Sequence, residues 1–235
     1  SLLLSENEFS GELPETLGNL VNLRNFYVKT NRLSGPFPVV LTKLVKLEYL
    51  NLSFNNFSGV IPAEIGNWEE LKHLYLWKNQ FSGSIPPSIG KLRNLTELSL
   101  GENRLSGELP KELGQLENLV TAYLNNNAFT GQIPNEMTRA SNLKYLNLNS
   151  NNLSGDLPDE LGNWEALESL LLGSNKITGT FPPSIGKMKR LKFLSVFWNK
   201  MSGMLPSELG ELENLECLYL TNNRFSGTLP SSISN

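Results

Sequence analysis

The sequence contains very little of the chemistry from which catalytic and metal sites are built. Its 235 residues include one histidine, His73, and one cysteine, Cys217. One cysteine excludes an intrachain disulfide. One histidine excludes a multi-histidine metal site and leaves His73 as the sole imidazole base for a serine triad. The glycines follow a repeat rather than a phosphate-binding motif. We therefore predict that the chain has no metal, no cofactor and no catalytic activity.

Long apolar runs and an excess of positive charge are also missing. No run reaches the roughly 18 apolar residues that span a bilayer, and the formal net charge is -3. A chain without an excess of lysine and arginine is a poor candidate for binding nucleic acid or an anionic membrane. We therefore expect no nucleic-acid partner and no membrane contact by this segment.

The dominant positive feature is a ladder of asparagines spaced 24 residues apart, without an insertion or deletion. Its members are Asn7, Asn31, Asn55, Asn79, Asn103, Asn127, Asn151, Asn175, Asn199 and Asn223. A fixed period of this size indicates stacked structural units, each packed only on its neighbours. The sequence therefore predicts one repeat solenoid over residues 1–235, built from ten 24-residue units.

Each unit reads L-x-x-L-x-L-x-x-N-x-L-S-G-x-I-P-x-x-L-G-x-L-x-x, with residues 95–118 as a clean copy. The L-x-L segment has period two and predicts a short strand that pairs with the same strand of the next unit. The asparagine amide can donate and accept hydrogen bonds at the turn, and the glycine suits a positive φ. The proline starts a short helical turn on the convex side. The expected fold is an α/β solenoid with a ten-stranded parallel sheet on its concave side.

The segment L-S-G-x-I-P, as in Leu105-Ser106-Gly107-Glu108-Leu109-Pro110, is the hallmark of plant-type leucine-rich repeats. The chain resembles the ectodomains of plant receptor-like kinases and receptor-like proteins, and the polygalacturonase-inhibiting proteins. The resemblance implies a second sheet beside the concave one, an extracellular or cell-surface location, and binding rather than catalysis. The cysteine-paired caps usual in that family are absent, so we expect an uncapped segment of a longer protein. The R-x-R motif of many peptide-hormone receptors is also absent from the concave strands.

Function is expected on the solvent face of the concave strands, six, four, two and one residues before each ladder asparagine. Aromatic side chains gather there in two groups, and such groups indicate binding sites. The first group is Tyr27, Tyr49, Phe54, His73, Tyr75 and Trp77, and the second is Phe193, Phe197, Trp198 and Tyr219. Tyr123 and Tyr145 interrupt the polar stretch between them. Each single ring has an alternative role in stabilising the sheet, because aromatics pair across strands.

Two further patterns have a structural interpretation. Charges alternate in sign on neighbouring units seven residues before the ladder, as in Arg24, Glu48 and Lys72, which is typical of a register device. A 96-residue period also places Trp68 and Trp164 in equivalent core positions. Duplication of four-unit blocks explains this period, and a partner with a matching repeat is the alternative.

Four asparagines stand in N-x-S/T sequences and are candidate glycosylation sites: Asn51, Asn56, Asn94 and Asn152. Asn56 and Asn152 are expected at exposed turns and are the better acceptors.

Three functions compete on this basis. The first is a recognition module for a peptide, glycan or protein partner. The second is a structural protein whose ends stack into fibres or a surface layer. The third, by resemblance, is inhibition of a cell-wall polysaccharide hydrolase. Ice binding through the asparagine and Ser/Thr columns is disfavoured, because those columns are expected to serve the turns.

Overall fold

The computed structural model describes residues 1–234 and confirms a leucine-rich repeat solenoid of parallel strands and short 3-10 helices. Each coil contains one strand of a ten-stranded sheet, one second strand and one 3-10 helix. The strands of the ten-stranded sheet are β1 (Leu2–Leu3), β3 (Asn25–Tyr27), β5 (Tyr49–Asn51), β7 (His73–Tyr75), β9 (Glu97–Ser99), β11 (Thr121–Tyr123), β13 (Tyr145–Asn147), β15 (Ser169–Leu171), β17 (Phe193–Ser195) and β19 (Cys217–Tyr219).

The second strands and the helices alternate with them along the chain. The second strands are β2 (Ser10–Gly11), β4 (Arg32–Pro36), β6 (Asn56–Val60), β8 (Gln80–Gly83), β10 (Arg104–Glu108), β12 (Ala128–Thr130), β14 (Ser154–Gly155), β16 (Lys176–Ile177), β18 (Ser202–Gly203) and β20 (Arg224–Phe225). The 3-10 helices are η1 (Glu15–Asn19), η2 (Val39–Lys43), η3 (Ala63–Asn67), η4 (Pro87–Lys91), η5 (Lys111–Gln115), η6 (Asn135–Arg139), η7 (Leu161–Asn163), η8 (Pro183–Lys187), η9 (Ser207–Glu211) and η10 (Ser231–Ser234).

The ten-stranded sheet keeps one register throughout. Its strands follow chain order, and Tyr49 pairs with His73 just as Tyr145 pairs with Ser169, an offset of 24 residues. Because the sequence period never slips, every strand presents the same positions to its neighbour. We call the solvent side of this sheet the concave face.

The second sheet is less regular. Six strands pair in the order β12-β10-β8-β6-β4-β2, and β14–β16 and β18–β20 form separate pairs. The glycine of each coil has a positive φ, from 68° to 96°, a conformation that side chains with a Cβ rarely adopt. Pro110 stands directly before η5 with a φ of -68°, so proline begins the helical turn as its fixed φ allows.

The core lies between the two sheets and the helices. Trp68 and Trp164 are fully buried, as the sequence indicates. Their indole N–H groups donate to the carbonyls of Leu41 and Met137, at 3.0 and 3.1 Å. The same indole-to-carbonyl bond thus occurs twice, 96 residues apart. The tryptophans of the 96-residue period therefore have a structural role in the core.

The ladder asparagines join consecutive coils. Asn55 is representative: its Oδ1 accepts the N–H of Leu33 at 3.0 Å, and its Nδ2 donates to the carbonyls of Val28 at 2.9 Å and Leu52 at 3.2 Å. Leu33 and Val28 belong to the preceding coil. From Asn31 onward, each amide therefore serves its own turn and the turn before it, rather than the turns on both sides. The ladder amides are therefore engaged in hydrogen bonds to the backbone and are not free to bind a ligand.

The residue directly before each ladder asparagine has a left-handed backbone, with φ between 51° and 59° in all ten coils. No residue type marks this position, and the sequence pattern does not predict it. The conformation costs about 1–2 kcal/mol for a residue with a Cβ, and it is rarest for bulky side chains. Phe54 and Trp198 nevertheless occupy it, so these two rings are held at the edge of the concave face against a local backbone preference.

Candidate ligand-binding face

The six rings of the first aromatic group, which we call the N-terminal cluster, form two contacting sets: Tyr27, Tyr49, His73 and Tyr75, and Phe54 with Trp77. The rings of Tyr27 and Tyr49 stack with centroids 4.3 Å apart. Tyr49 also lies 5.0 Å from the ring of His73 and 5.2 Å from that of Tyr75. Strands β3, β5 and β7 thus carry a continuous aromatic surface, because the register places these side chains side by side.

Trp77 extends the N-terminal cluster across the next coil. Its ring is 6.3 Å from Phe54 on one side and 6.2 Å from Tyr123 on the other. Tyr123 is two coils further on, and the coil between them has the small residues Ser99 and Gly101 on this face. Tyr123 therefore contacts the N-terminal cluster, although its place in the sequence indicates an interruption of the polar stretch between the two aromatic groups. The small residues beside a tryptophan are the signal that could have revealed this contact.

Hydrogen bonding and burial fix the protonation state of the Tyr49 and Tyr75 hydroxyl groups in the N-terminal cluster. The Tyr75 hydroxyl donates to a carboxylate oxygen of Glu97, whose other oxygen is 3.7 Å from Nδ1 of His73. Burial, reinforced by the Glu97 carboxylate, raises the pKa of Tyr75 well above its usual range. Burial also raises the pKa of Tyr49. Both phenols therefore remain neutral hydrogen-bond donors at physiological pH.

Two ammonium groups flank the edge of the same cluster. The Nζ atoms of Lys29 and Lys78 lie 5.6 and 5.2 Å from the centroid of the Phe54 ring. A cation at this distance is attracted by the ring quadrupole. The N-terminal cluster thus combines apolar rings, hydroxyl donors and positive charge.

The second aromatic group is arranged differently. Phe193, Trp198 and Tyr219 are 38%, 61% and 52% exposed, and within residues 1–234 no ring of this group stacks on another. The ring of Phe197 covers Gly173 so closely that a Cβ at Gly173 would overlap it. The structure therefore brings the first predicted group together and leaves the second as separate, more accessible rings.

The flank of the ten-stranded sheet carries the alternating charges as ion pairs. Glu48 pairs with Lys72 at 2.8 Å and with Arg24, and these cations lower the pKa of its carboxyl group. Glu168 pairs with Lys192 at 2.9 Å, and this bond lowers the pKa of Glu168. The charges neutralise one another across neighbouring coils, which fits a role in register.

The described residues offer little for catalysis. Among residues 1–234 there is no group of three or more His, Cys, Asp or Glu side chains that could hold a metal ion. Cys217 is a free thiol on β19, and its hydrogen bond with Tyr219 raises the pKa of that phenol. Over the same residues, no helix is long and apolar enough to cross a bilayer.

The four candidate glycosylation sites differ in access. Asn51 is only 8% exposed, and its Oδ1 accepts the N–H of Ser53, so its burial disfavours modification. Asn56 is exposed, Asn152 is half-buried, and Asn94 is exposed with its Nδ2 bonded to the Glu69 carbonyl. Asn56 remains the most accessible acceptor.

Family models match most of the chain. A leucine-rich repeat region model covers residues 124–231, and a leucine-rich repeat model covers residues 1–20, 46–68, 70–92 and 94–116. No curated protein matches the sequence.

Several solved structures share the fold. A TDR receptor is 37% identical with a TM-score of 0.96, over 99% of this chain and 40% of that one. The Arabidopsis receptor kinase HAESA, in complex with the peptide hormone IDA and the co-receptor SERK1, is 35% identical with a TM-score of 0.95, over 100% and 39%. A plant ice-binding protein is 29% identical with a TM-score of 0.83, over 98% and 74%. The chain thus spans about two fifths of the length of the two receptors. With its 24-residue coils and these matches, it belongs to the leucine-rich repeat family.

Proposed function

We propose that the chain is a non-catalytic recognition segment that binds an extended peptide along its concave face. The observation that carries this proposal is the N-terminal cluster, in which ring contacts run from Tyr27 through Tyr49 to Tyr75. Clusters of aromatic side chains on a protein surface are typical of protein and peptide binding sites. The likeness to HAESA, whose structure contains a bound peptide hormone, supports the same class of ligand.

The geometry of the N-terminal cluster suits an extended chain. Parallel strands lie about 4.8 Å apart, so a ligand crossing them meets a new side chain every one to two residues. Tyr49 offers a neutral hydroxyl, Tyr75 offers a hydroxyl oxygen whose proton is bonded to Glu97, and Lys29 and Lys78 offer cations beside Phe54. Because the face is part of a stacked sheet, it is ordered before the ligand arrives, and binding costs little conformational entropy.

The proposed location is the cell surface or the extracellular space. Support comes from the likeness to plant receptor ectodomains. The proposal extends to a larger receptor-like protein of which this chain is one segment.

Selection from a random 12-residue peptide display library on the purified chain tests the proposal. We expect the selected synthetic peptides to lose about 30-fold in affinity on Trp77→Ala, since a buried tryptophan anchor contributes about 2 kcal/mol or more. Phe9→Ala is the matched control, because Phe9 is an exposed aromatic residue outside the concave face. Selection that yields no binders, or peptides that bind Trp77→Ala as tightly as the parent chain, would contradict the proposal.

A further inference from the structure

The concave face changes character halfway along the solenoid. In the first five coils its positions carry acidic, basic or histidine side chains: Glu6, Lys29, His73, Lys78, Glu97 and Glu102. In coils six to ten the same four positions of each coil carry none. We call this surface the neutral half: Thr121, Tyr123, Asn125, Asn126, Tyr145, Asn147, Asn149, Ser150, Ser169, Leu171, Gly173, Ser174, Phe193, Ser195, Phe197, Trp198, Cys217, Tyr219, Thr221 and Asn222.

Charges occur on the flank of the sheet, where Lys192 and Glu168 pair at 2.9 Å and neutralise each other. A charged ligand on the neutral half would lose hydration without gaining an opposite charge. Charge complementarity therefore favours an uncharged ligand here.

Two amides near the centre of the neutral half are oriented by the backbone. The Oδ1 of Asn147 accepts the N–H of Asn149 at 3.0 Å, and the Oδ1 of Asn149 accepts the N–H of Gly173 at 2.6 Å. Because the oxygen of each amide is engaged by a backbone donor, the Nδ2 groups are left to donate to a ligand. Both side chains are half-exposed. The centre of the neutral half is thus a pair of oriented amides whose Nδ2 groups can donate to a ligand.

Accessible rings stand on both sides of these amides. Tyr145 and Phe193 are each 38% exposed, and Trp198 and Tyr219 are more so. Flat rings beside amide donors offer one apolar surface and directed hydrogen bonds to the same ligand.

We propose that the neutral half is a second binding site, which takes an uncharged oligosaccharide. Sugar hydroxyls accept as well as donate, so they satisfy the Nδ2 groups of Asn147 and Asn149, and the apolar faces of the sugar rings cover the aromatic rings. The exposed rings of Tyr145, Phe193 and Trp198 on both sides of the amides favour a ligand with flat apolar faces, such as a sugar ring. This site adjoins the N-terminal cluster only where Tyr123 contacts Trp77, and it does not depend on the peptide ligand proposed above.

Isothermal titration with three hexasaccharides tests the proposal: cellohexaose and xylohexaose, which are neutral, and hexagalacturonate, which is charged. The variant carries Asn147→Asp and Asn149→Asp, which keep both backbone-bonded oxygens and replace the two donors by charged oxygens. We expect a neutral hexasaccharide to bind the parent chain and to lose at least tenfold in affinity on this variant. Asn56→Asp, on the exposed side of the second sheet, is the matched control and should bind as the parent does.

The outcomes separate this proposal from the one above. Trp77→Ala should leave neutral-sugar binding unchanged, and the double Asn→Asp variant should leave binding of the selected peptides unchanged. The oligosaccharide site is refuted if neither neutral hexasaccharide binds, if hexagalacturonate binds as tightly as they do, or if the double variant binds like the parent. If selected peptides compete with the sugar and depend on Asn147 and Asn149, the neutral half is instead a peptide site.

Discussion

Replacement of one ladder asparagine by alanine should destabilise the fold far more than its place in a turn suggests. Asn175 is 9% exposed. Its Oδ1 accepts the N–H of Leu153 at 3.0 Å, and its Nδ2 donates to the carbonyls of Leu148 at 2.9 Å and Leu172 at 3.0 Å. Asn175→Ala leaves these three backbone groups without the amide.

The expected loss follows from what those groups cost when unpaired. A buried backbone donor or acceptor without a partner costs about 1–3 kcal/mol. Water that enters the vacated space will satisfy some of that need, so we expect a loss of about 3 kcal/mol in the free energy of unfolding. Urea denaturation followed by circular dichroism measures it, and amide hydrogen exchange at Leu153 reports the local effect.

Asn7→Ala is the matched control in the same ladder. Asn7 is exposed and donates only to the carbonyls of Leu4 at 3.2 Å and Ser5 at 3.0 Å, which water can reach. Its replacement should cost about 0.5 kcal/mol, as is usual for surface positions. If both variants lose the same stability, or if the Leu153 amide stays as protected in Asn175→Ala as in the parent, the ladder does not hold the coils together in the way described.

Three further predictions concern the core, the helical turns and the flank. Trp68→Phe should cost about 1–3 kcal/mol in urea denaturation, because it leaves the carbonyl bonded to the indole without a donor; an unchanged midpoint would show that the bond is dispensable. Gly114→Ala should cost about 1–3 kcal/mol, because its Cβ would overlap a backbone carbonyl of the next coil. Gly66→Ala, where the new Cβ would meet a side chain at 3.0 Å, should cost clearly less, and equal losses would contradict the reasoning. The lowered pKa of Glu48 means that its carboxylate adds stability above the ordinary pKa of 4.5 and loses it as the pH falls. Glu48→Gln should therefore flatten the acid limb of stability against pH in urea titrations, and an unchanged limb would show that the flanking cations do not act on it.

The concave strands could be predicted residue by residue from the period. Side chains alternate along a strand, and an unbroken repeat pairs each strand with the same strand of the next unit. The buried tryptophans were predictable for the same reason, because Trp68 and Trp164 stand where other units have leucine.

Contacts that depend on how far a side chain reaches could not be predicted in this way. The period predicts which residues share a face. It does not predict that the Trp77 side chain extends across a coil of small residues and contacts Tyr123. It also does not say that the first aromatic group packs as a cluster while Phe193 and Tyr219 stand apart. Rotamers and the space left by neighbours decide such contacts.

The sequence by itself determined the repeat, the register and the identity of the solvent-facing positions, because a period of 24 residues without slips allows one stacking only. Tertiary structure decided the rest. It placed Phe54 and Trp198 in left-handed conformations at the edge of the sheet, and it oriented the amides of Asn147 and Asn149 through backbone bonds. These features depend on the coils on either side, and no local pattern encodes a neighbour that is 24 residues away.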